Sequence, residues 1–144
     1  IADEPTTTLD NLVERQSLDL LRLHQRRLKA SVLFVTHDLA IAGDLCDRIA
    51  VMYAGEIVEV GPADAVLGDP KHPYAAGLLE TSRSLERHDD YLFELKGEPG
   101  GRIAEQGCAF AGRCPRVMPR CRESHPRMIG VGPGREARCL LYGE

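Results

Sequence analysis

No apolar run in the 144 residues approaches the roughly 18 to 20 that a membrane span requires, so any membrane association would go through a partner. Positive charge is not in excess either: 18 Lys and Arg stand against 22 Asp and Glu, a net charge of -4. With that balance and only 5% aromatic residues, nothing points to a nucleic-acid surface. The five cysteines include no Cys-x-x-Cys pair, the spacing in which zinc sites usually bring their ligands. What is there is 43% hydrophobic and 28% charged, enough for one modest domain or for parts of two.

The chain is organised around its first ten residues, Ile1-Ala2-Asp3-Glu4-Pro5-Thr6-Thr7-Thr8-Leu9-Asp10, where an apolar start ends in two adjacent carboxylates. In a phosphate-hydrolysing site the first carboxylate can hold the water shell of a hydrated Mg²⁺, while the second polarises the attacking water. The plainer reading is a solvated turn, for which acidic residues and Pro are ordinary material. A second stretch, Ser31-Val32-Leu33-Phe34-Val35-Thr36-His37-Asp38, reads as a buried, β-branched strand that delivers a His at its C-terminal end. Ligands of open α/β sheets gather at the carboxyl ends of strands, so Asp3, Glu4 and His37 would face one site.

These stretches resemble the Walker B motif and the switch-histidine segment of the ATP-binding cassette (ABC) ATPases, and Thr8-Leu9-Asp10 is similar to the D-loop of that family. The resemblance implies an α/β fold, the C-terminal part of a P-loop (RecA-like) core. It implies ATP and Mg²⁺ as cofactors, with Glu4 orienting or deprotonating the attacking water and Asp3 holding the metal through its water shell. His37 would hydrogen-bond the γ-phosphate, and Asp10 would reach across a pair of ATPase subunits. The Gly-rich phosphate loop with its Lys and Ser/Thr does not occur in the sequence, nor do the glutamine loop and Ser-Gly-Gly signature of the family. The chain therefore reads as the C-terminal part of a longer protein, expected to bind ATP poorly by itself.

Residues 11 to 29 predict an amphipathic helix capped by Asp10, with Leu12, Leu18, Leu20, Leu21, Leu23 and Leu28 as its core face. Strand, crossover helix and strand over Asp3 to His37 favour a parallel sheet. A short helix is expected over Leu39 to Cys46. Arg48 to Tyr53 and Glu56 to Val60 around Ala54-Gly55 then read as a hairpin. A helix near Pro62 to Leu67 is followed by one starting at Pro73, whose Tyr74 and Leu78 would pack back onto the preceding domain. Thr81 to Asp90 looks like an exposed linker, and Lys96 to Gly101 a turn-rich entry to the last segment. Cys46 is read as a small buried hydrophobe, and His24, His72 and His88 as surface or packing residues.

Asp69-Pro70-Lys71-His72-Pro73-Tyr74-Ala75-Ala76-Gly77-Leu78-Leu79 resembles, through its His-Pro-Tyr core, the C-terminal extension of oligopeptide and dipeptide importer ATPases, a subset also used by some nickel importers. Two domains are expected, 1–60 from the ATPase core and 61–144 as a small irregular Cys-containing extension. Cys108, Cys114, Cys121 and Cys139 are separated by five, six and seventeen residues, a loose spacing that suits an iron–sulfur cluster at least as well as zinc. Their surroundings are similar to importer tails, some of which carry a [4Fe-4S] cluster; zinc and free structural thiols stay open, and His125 could replace one Cys. Arg113, Arg116, Arg120, Arg122 and Arg127 would offset a cluster's charge.

The resemblance implies an ATP-hydrolysing subunit that powers peptide uptake, peripheral on the cytoplasmic face of a bacterial or archaeal membrane. Its partners would be a second ATPase subunit, two integral membrane permease subunits and, indirectly, an extracytoplasmic peptide-binding protein, with no nucleic acid. The alternatives are an importer ATPase for nickel or another small solute, or a metal-binding or redox module carried on an ATPase remnant.

Overall fold

In the computed structural model, which describes residues 1–87 and 106–143, contacts divide the chain into Ile1–Asp47 and Arg48–Glu144. The stretch Lys96 to Gly101 lies outside the described residues, as do His88, Asp89 and Asp90. No described helix is long and apolar enough to cross a membrane.

In the first unit β1 (Ala2–Asp3) and β2 (Phe34–Val35) pair in parallel, Ala2 opposite Phe34 and Asp3 opposite Val35. The crossover between them is α1 (Asn11–Leu28). Asp10 caps it as expected: its side chain accepts from the N–H groups of Leu12 and Val13, both at 3.0 Å. The helix stops at Lys29, which turns left-handed at φ 48° and donates its N–H to the Gln25 carbonyl. Asp38 caps α2 (Leu39–Leu45) in the same way, with Oδ1 at 2.7 and 3.0 Å from the amides of Ala40 and Ile41.

Two expectations are corrected here. The second strand is not a buried run from Ser31 to His37; only two residues are strand, and Val32, Leu33 and Val35 are exposed. The leucine stripe of α1 is not core within this unit, since Leu12, Leu20, Leu23 and Leu28 are exposed and Leu18 and Leu21 half-buried. An apolar stripe is buried only where another layer meets it, and two two-residue strands present too little surface to cover an 18-residue helix.

The second unit is built on a four-stranded antiparallel sheet. β3 (Arg48–Tyr53) and β4 (Glu56–Pro62) form the expected hairpin, turning through Ala54 and Gly55 at φ 51° and 82°. Positive φ at both loop residues matches the right-handed twist of the flanking strands. α3 (Ala63–Gly68) and α4 (Pro73–Arg87) follow, then α5 (Arg120–Glu123), β5 (Met128–Gly132) and β6 (Arg135–Arg138). The strand order is β3-β4-β6-β5. The hairpin, placed by its motif with residues 1–60, thus shares a sheet with the Cys-bearing segment through β4 and β6.

Helix α4 runs through Thr81 to Arg87, where a linker was expected. The polar residues there are a helix face: Arg87 pairs with Glu80 at 2.9 Å, Arg83 Nη2 donates to the Leu67 carbonyl at 3.1 Å, and Ser84 is buried. No Gly or Pro interrupts the run, so nothing local breaks the helix.

Glu59 is fully buried in β4. Its carboxylate accepts from Arg135 Nε at 3.1 Å and Nη2 at 2.5 Å, and from the backbone N–H groups of Lys71 and His72, the latter at 2.7 Å. Arg135 Nη2 also donates to the Asp69 carbonyl. One carboxylate thereby joins the hairpin, the loop before α4 and β6. Gly61 makes room for the cation, because a Cβ there would lie 2.9 Å from Arg135 Cγ.

Beside this pair Phe110, almost wholly buried, meets Tyr53, Tyr74 and His72 with ring centroids 5.1, 5.4 and 5.8 Å apart, and Tyr53 meets Tyr74 at 4.7 Å. Tyr74 packs onto Tyr53 of the hairpin, within its own unit. His72 is a packing residue: Nδ1 accepts from the Tyr74 N–H at 3.1 Å, which leaves the proton on Nε2. Burial pushes its pKa down to about 4.

Arg135→Met strands Glu59 as an unpaired buried charge, and should cost the unit about 3–5 kcal/mol. Urea unfolding checks this. Adding Glu59→Gln should cost much less than a second full penalty, since the charge that needed a partner is gone. His72 gives a second test. Folded His72 stays neutral to about pH 4 while the unfolded side chain titrates near 6.5, so its contribution is complete above about pH 6.5. Stability should then fall by up to about 3 kcal/mol as the pH drops to about 4 and level off below. Unfolding at a series of pH values should show a flatter slope for His72→Asn, whose amide oxygen can still accept from Tyr74.

Candidate functional site

The parallel pairing of β1 and β2 sends both strand ends in one direction. The Glu4 N–H donates to the Val35 carbonyl at 2.9 Å, which registers the residue after one strand against the end of the other. Glu4 itself sits in the left-handed region at φ 41°. For a non-glycine residue this costs on the order of 1–2 kcal/mol, and such strain clusters where function demands it. The chain then folds back: Thr7 donates its N–H to the Glu4 carbonyl at 3.2 Å.

This geometry brings together Glu4 and His37, as the sequence reading expects. His37 Nδ1 donates to Glu4 Oε1 at 3.1 Å. The other oxygen, Oε2, accepts from the Thr7 hydroxyl at 3.0 Å. Both side chains face solvent, Glu4 at 45% and His37 at 75% exposure. The hydrogen bond from His37, then that from Thr7, holds the Glu4 carboxyl below its usual range, so it is a carboxylate with two anchored oxygens. Such a group can orient a water molecule and accept its proton.

Asp3 ends β1, exposed beside Glu4. Its oxygen donors fit a hydrated Mg²⁺, which one or two carboxylates and substrate phosphates commonly hold through retained waters. Asp10 is exposed and serves as the α1 cap. Thr36 Oγ1 accepts from the Asp38 N–H at 3.0 Å, which, with the Asp38 cap, fixes the backbone on either side of His37. Thr7 was missed by sequence reasoning. Pro5 inside the turn was the available signal, since a reversal there returns the third residue to Glu4.

The four cysteines of the second unit gather without forming a ligand set. The Cys108 N–H donates to the Cys121 carbonyl at 2.8 Å, and Gly107 is required there because a Cβ would meet the Cys121 and Arg122 carbonyl oxygens at 2.8 Å. Cys121, Ala111 and Leu140 form a small apolar core against which Cys108 and Met118 pack. Burial pushes the thiols of Cys108, Cys114 and Cys139 up, and the charges of neighbouring cysteines add to this. Among the described residues no three or more Cys, His, Asp or Glu side chains are placed to hold a metal ion. The side chains as they stand therefore give no support to the expected [4Fe-4S] or zinc site. His125 does not complete a set; Nε2 lies 3.2 Å from Glu56 Oε1 and Nδ1 3.3 Å from the Gly107 carbonyl.

Comparison with known proteins accounts for the whole chain. Residues 58–121 match the family described as oligopeptide/dipeptide transporter, C-terminal region. The oligopeptide transport ATP-binding protein AppD of Bacillus subtilis (strain 168) is 39% identical over 145 residues, covering 100% of this chain and 44% of AppD. The dipeptide transport ATP-binding protein DppD of Escherichia coli (strain K12) is 37% identical over 140 residues, covering 96% of this chain and 43% of DppD. The chain thus spans less than half the length of these relatives. Along essentially its whole length the chain is thus similar to part of the oligopeptide and dipeptide transport ATP-binding proteins, and its residues 58–121 match the C-terminal region of the oligopeptide/dipeptide transporter family.

Proposed function

We propose that the chain is part of the ATP-hydrolysing subunit of an ABC importer for di- and oligopeptides. The carrying observation is the Glu4 carboxylate, anchored by His37 and Thr7 at the aligned ends of two parallel strands. Support comes from relatives whose names join ATP binding to oligopeptide and dipeptide transport.

In this reading Asp3-Glu4 is the Walker B pair. When bound, Mg²⁺-ATP supplies the γ-phosphate that is transferred to water and the cation that offsets its charge. Glu4 orients the water for in-line attack and takes its proton. Asp3 holds the water shell of the metal. His37 donates to a γ-phosphate oxygen, and Asp10 lies toward the site of an opposing ATPase subunit. A carboxylate oriented in advance toward the water needs little reorganisation during the reaction. Residues 1–60 carry this chemistry, while 61–144 form the extension that the His-Pro-Tyr element anchors through Tyr74 on Tyr53.

The assembly pairs the subunit with a second ATPase subunit and two membrane permease subunits, with an extracytoplasmic peptide-binding protein delivering substrate. The subunit sits peripherally on the cytoplasmic face of the membrane. Glu4→Gln in the intact ATPase should leave ATP binding in place and lower turnover by about 10²–10⁴-fold. Nucleotide-binding and steady-state phosphate-release assays check this, and turnover within a few-fold of the parent would remove Glu4 from the role.

A further inference from the structure

Resting on the reading of Glu4 given above, we propose that Thr7 is a positioning residue for the attacking water, its hydroxyl holding Glu4 Oε2 so that Oε1 is presented to the reaction. Packing cannot orient this carboxylate, because the side chain is 45% exposed and three torsions separate it from the backbone. Two hydrogen bonds do so instead, from His37 to Oε1 and from Thr7 to Oε2. The two donors are not equivalent. His37 stands on the loop after the other strand, and its proposed bond to the γ-phosphate requires it to turn from Oε1. Thr7 belongs to the same turn as Glu4, tied by its own N–H to the Glu4 carbonyl at 3.2 Å, and no part of the proposed mechanism calls it away.

When His37 engages phosphate, Thr7 therefore becomes the remaining restraint on the carboxylate. With Oε2 held, rotation about the last side-chain torsion is blocked and Oε1, just vacated, is the oxygen free to accept the proton of a water. The turn explains why the hydroxyl reaches: Glu4 in its left-handed conformation and Thr8 at φ 78° bracket Pro5, Thr6 and Thr7 and reverse the chain within four residues.

The test uses the intact importer ATPase with three substitutions, Thr7→Val, Thr7→Ser and Thr7→Ala. Loss of a hydrogen bond to an exposed carboxylate should lower kcat about 5- to 10-fold in Val and Ala, with KM for ATP unchanged, while Ser keeps parental turnover. On a Glu4→Gln background, Thr7→Val should add nothing further, since the oriented base is already gone. Equal losses in Ser and Val, or parental kcat in a folded Val or Ala variant, would overturn the proposal. Should Val fail to fold, the Ser and Ala pair decides alone. Full turnover in Glu4→Gln itself would sink the underlying reading instead, so the two failures are told apart.

Discussion

Arg48–Glu144 depends on one buried ion pair. Glu59 is wholly removed from water and Arg135 nearly so, at 7% exposure, and neither charge could be kept there alone. The pair lasts because every strong acceptor direction of the carboxylate is used, by the guanidinium and by two backbone amides. A buried pair of this kind adds less net stability than its removal costs, since a hydrophobic replacement can be equally stable. Its effect is to make one arrangement of hairpin, loop and last strand satisfiable and the others not. Phe110, with Tyr53, Tyr74 and His72 around it, then fills the space that this arrangement encloses.

The Ile1–Asp47 unit works by a different constraint. Its pairing is minimal, two residues on each strand, yet parallel registration is enough to set Glu4 and His37 within a hydrogen bond of each other. Capping does the rest. Asp10 and Asp38 begin the two helices, and these caps hold the loop backbones that flank the candidate site. The candidate site holds a strained, exposed glutamate whose orientation comes from hydrogen bonds rather than from packing. The second unit holds its glutamate the opposite way, by burial and full satisfaction.

The segments that were legible in the sequence are those governed by near neighbours. The Asp10 cap, the hairpin around Ala54-Gly55 and the starts of α2 and α4 all lie close to where residue chemistry placed them, because these features involve partners within about four residues. Glu4 and His37 were legible as a pair because parallel strands in open α/β sheets deliver their ends to one place. Thr7 was not, since a hydroxyl in a Thr run has no distinctive pattern until the turn closes. The end of α4 was misjudged because a charged run reads alike as linker or as a solvated helix face.

Sequence alone determined the local units here and which residues are candidates for the site, for these follow from side-chain type and short spacing. Tertiary structure decided which groups are buried. Glu59 reads as an ordinary polar strand residue, and its partner stands 76 positions away; His72 reads equally as surface or packing until Phe110 is seen against it. The leucines of α1 carry the pattern of a core face, but Leu12, Leu20, Leu23 and Leu28 are exposed. The four cysteines carry the composition of a metal site, yet among the described residues they are not placed as a ligand set, and Cys121 and Cys108 pack in a small apolar core. Burial and coordination both depend on what the rest of the chain brings alongside, and a periodic pattern specifies only which face is offered.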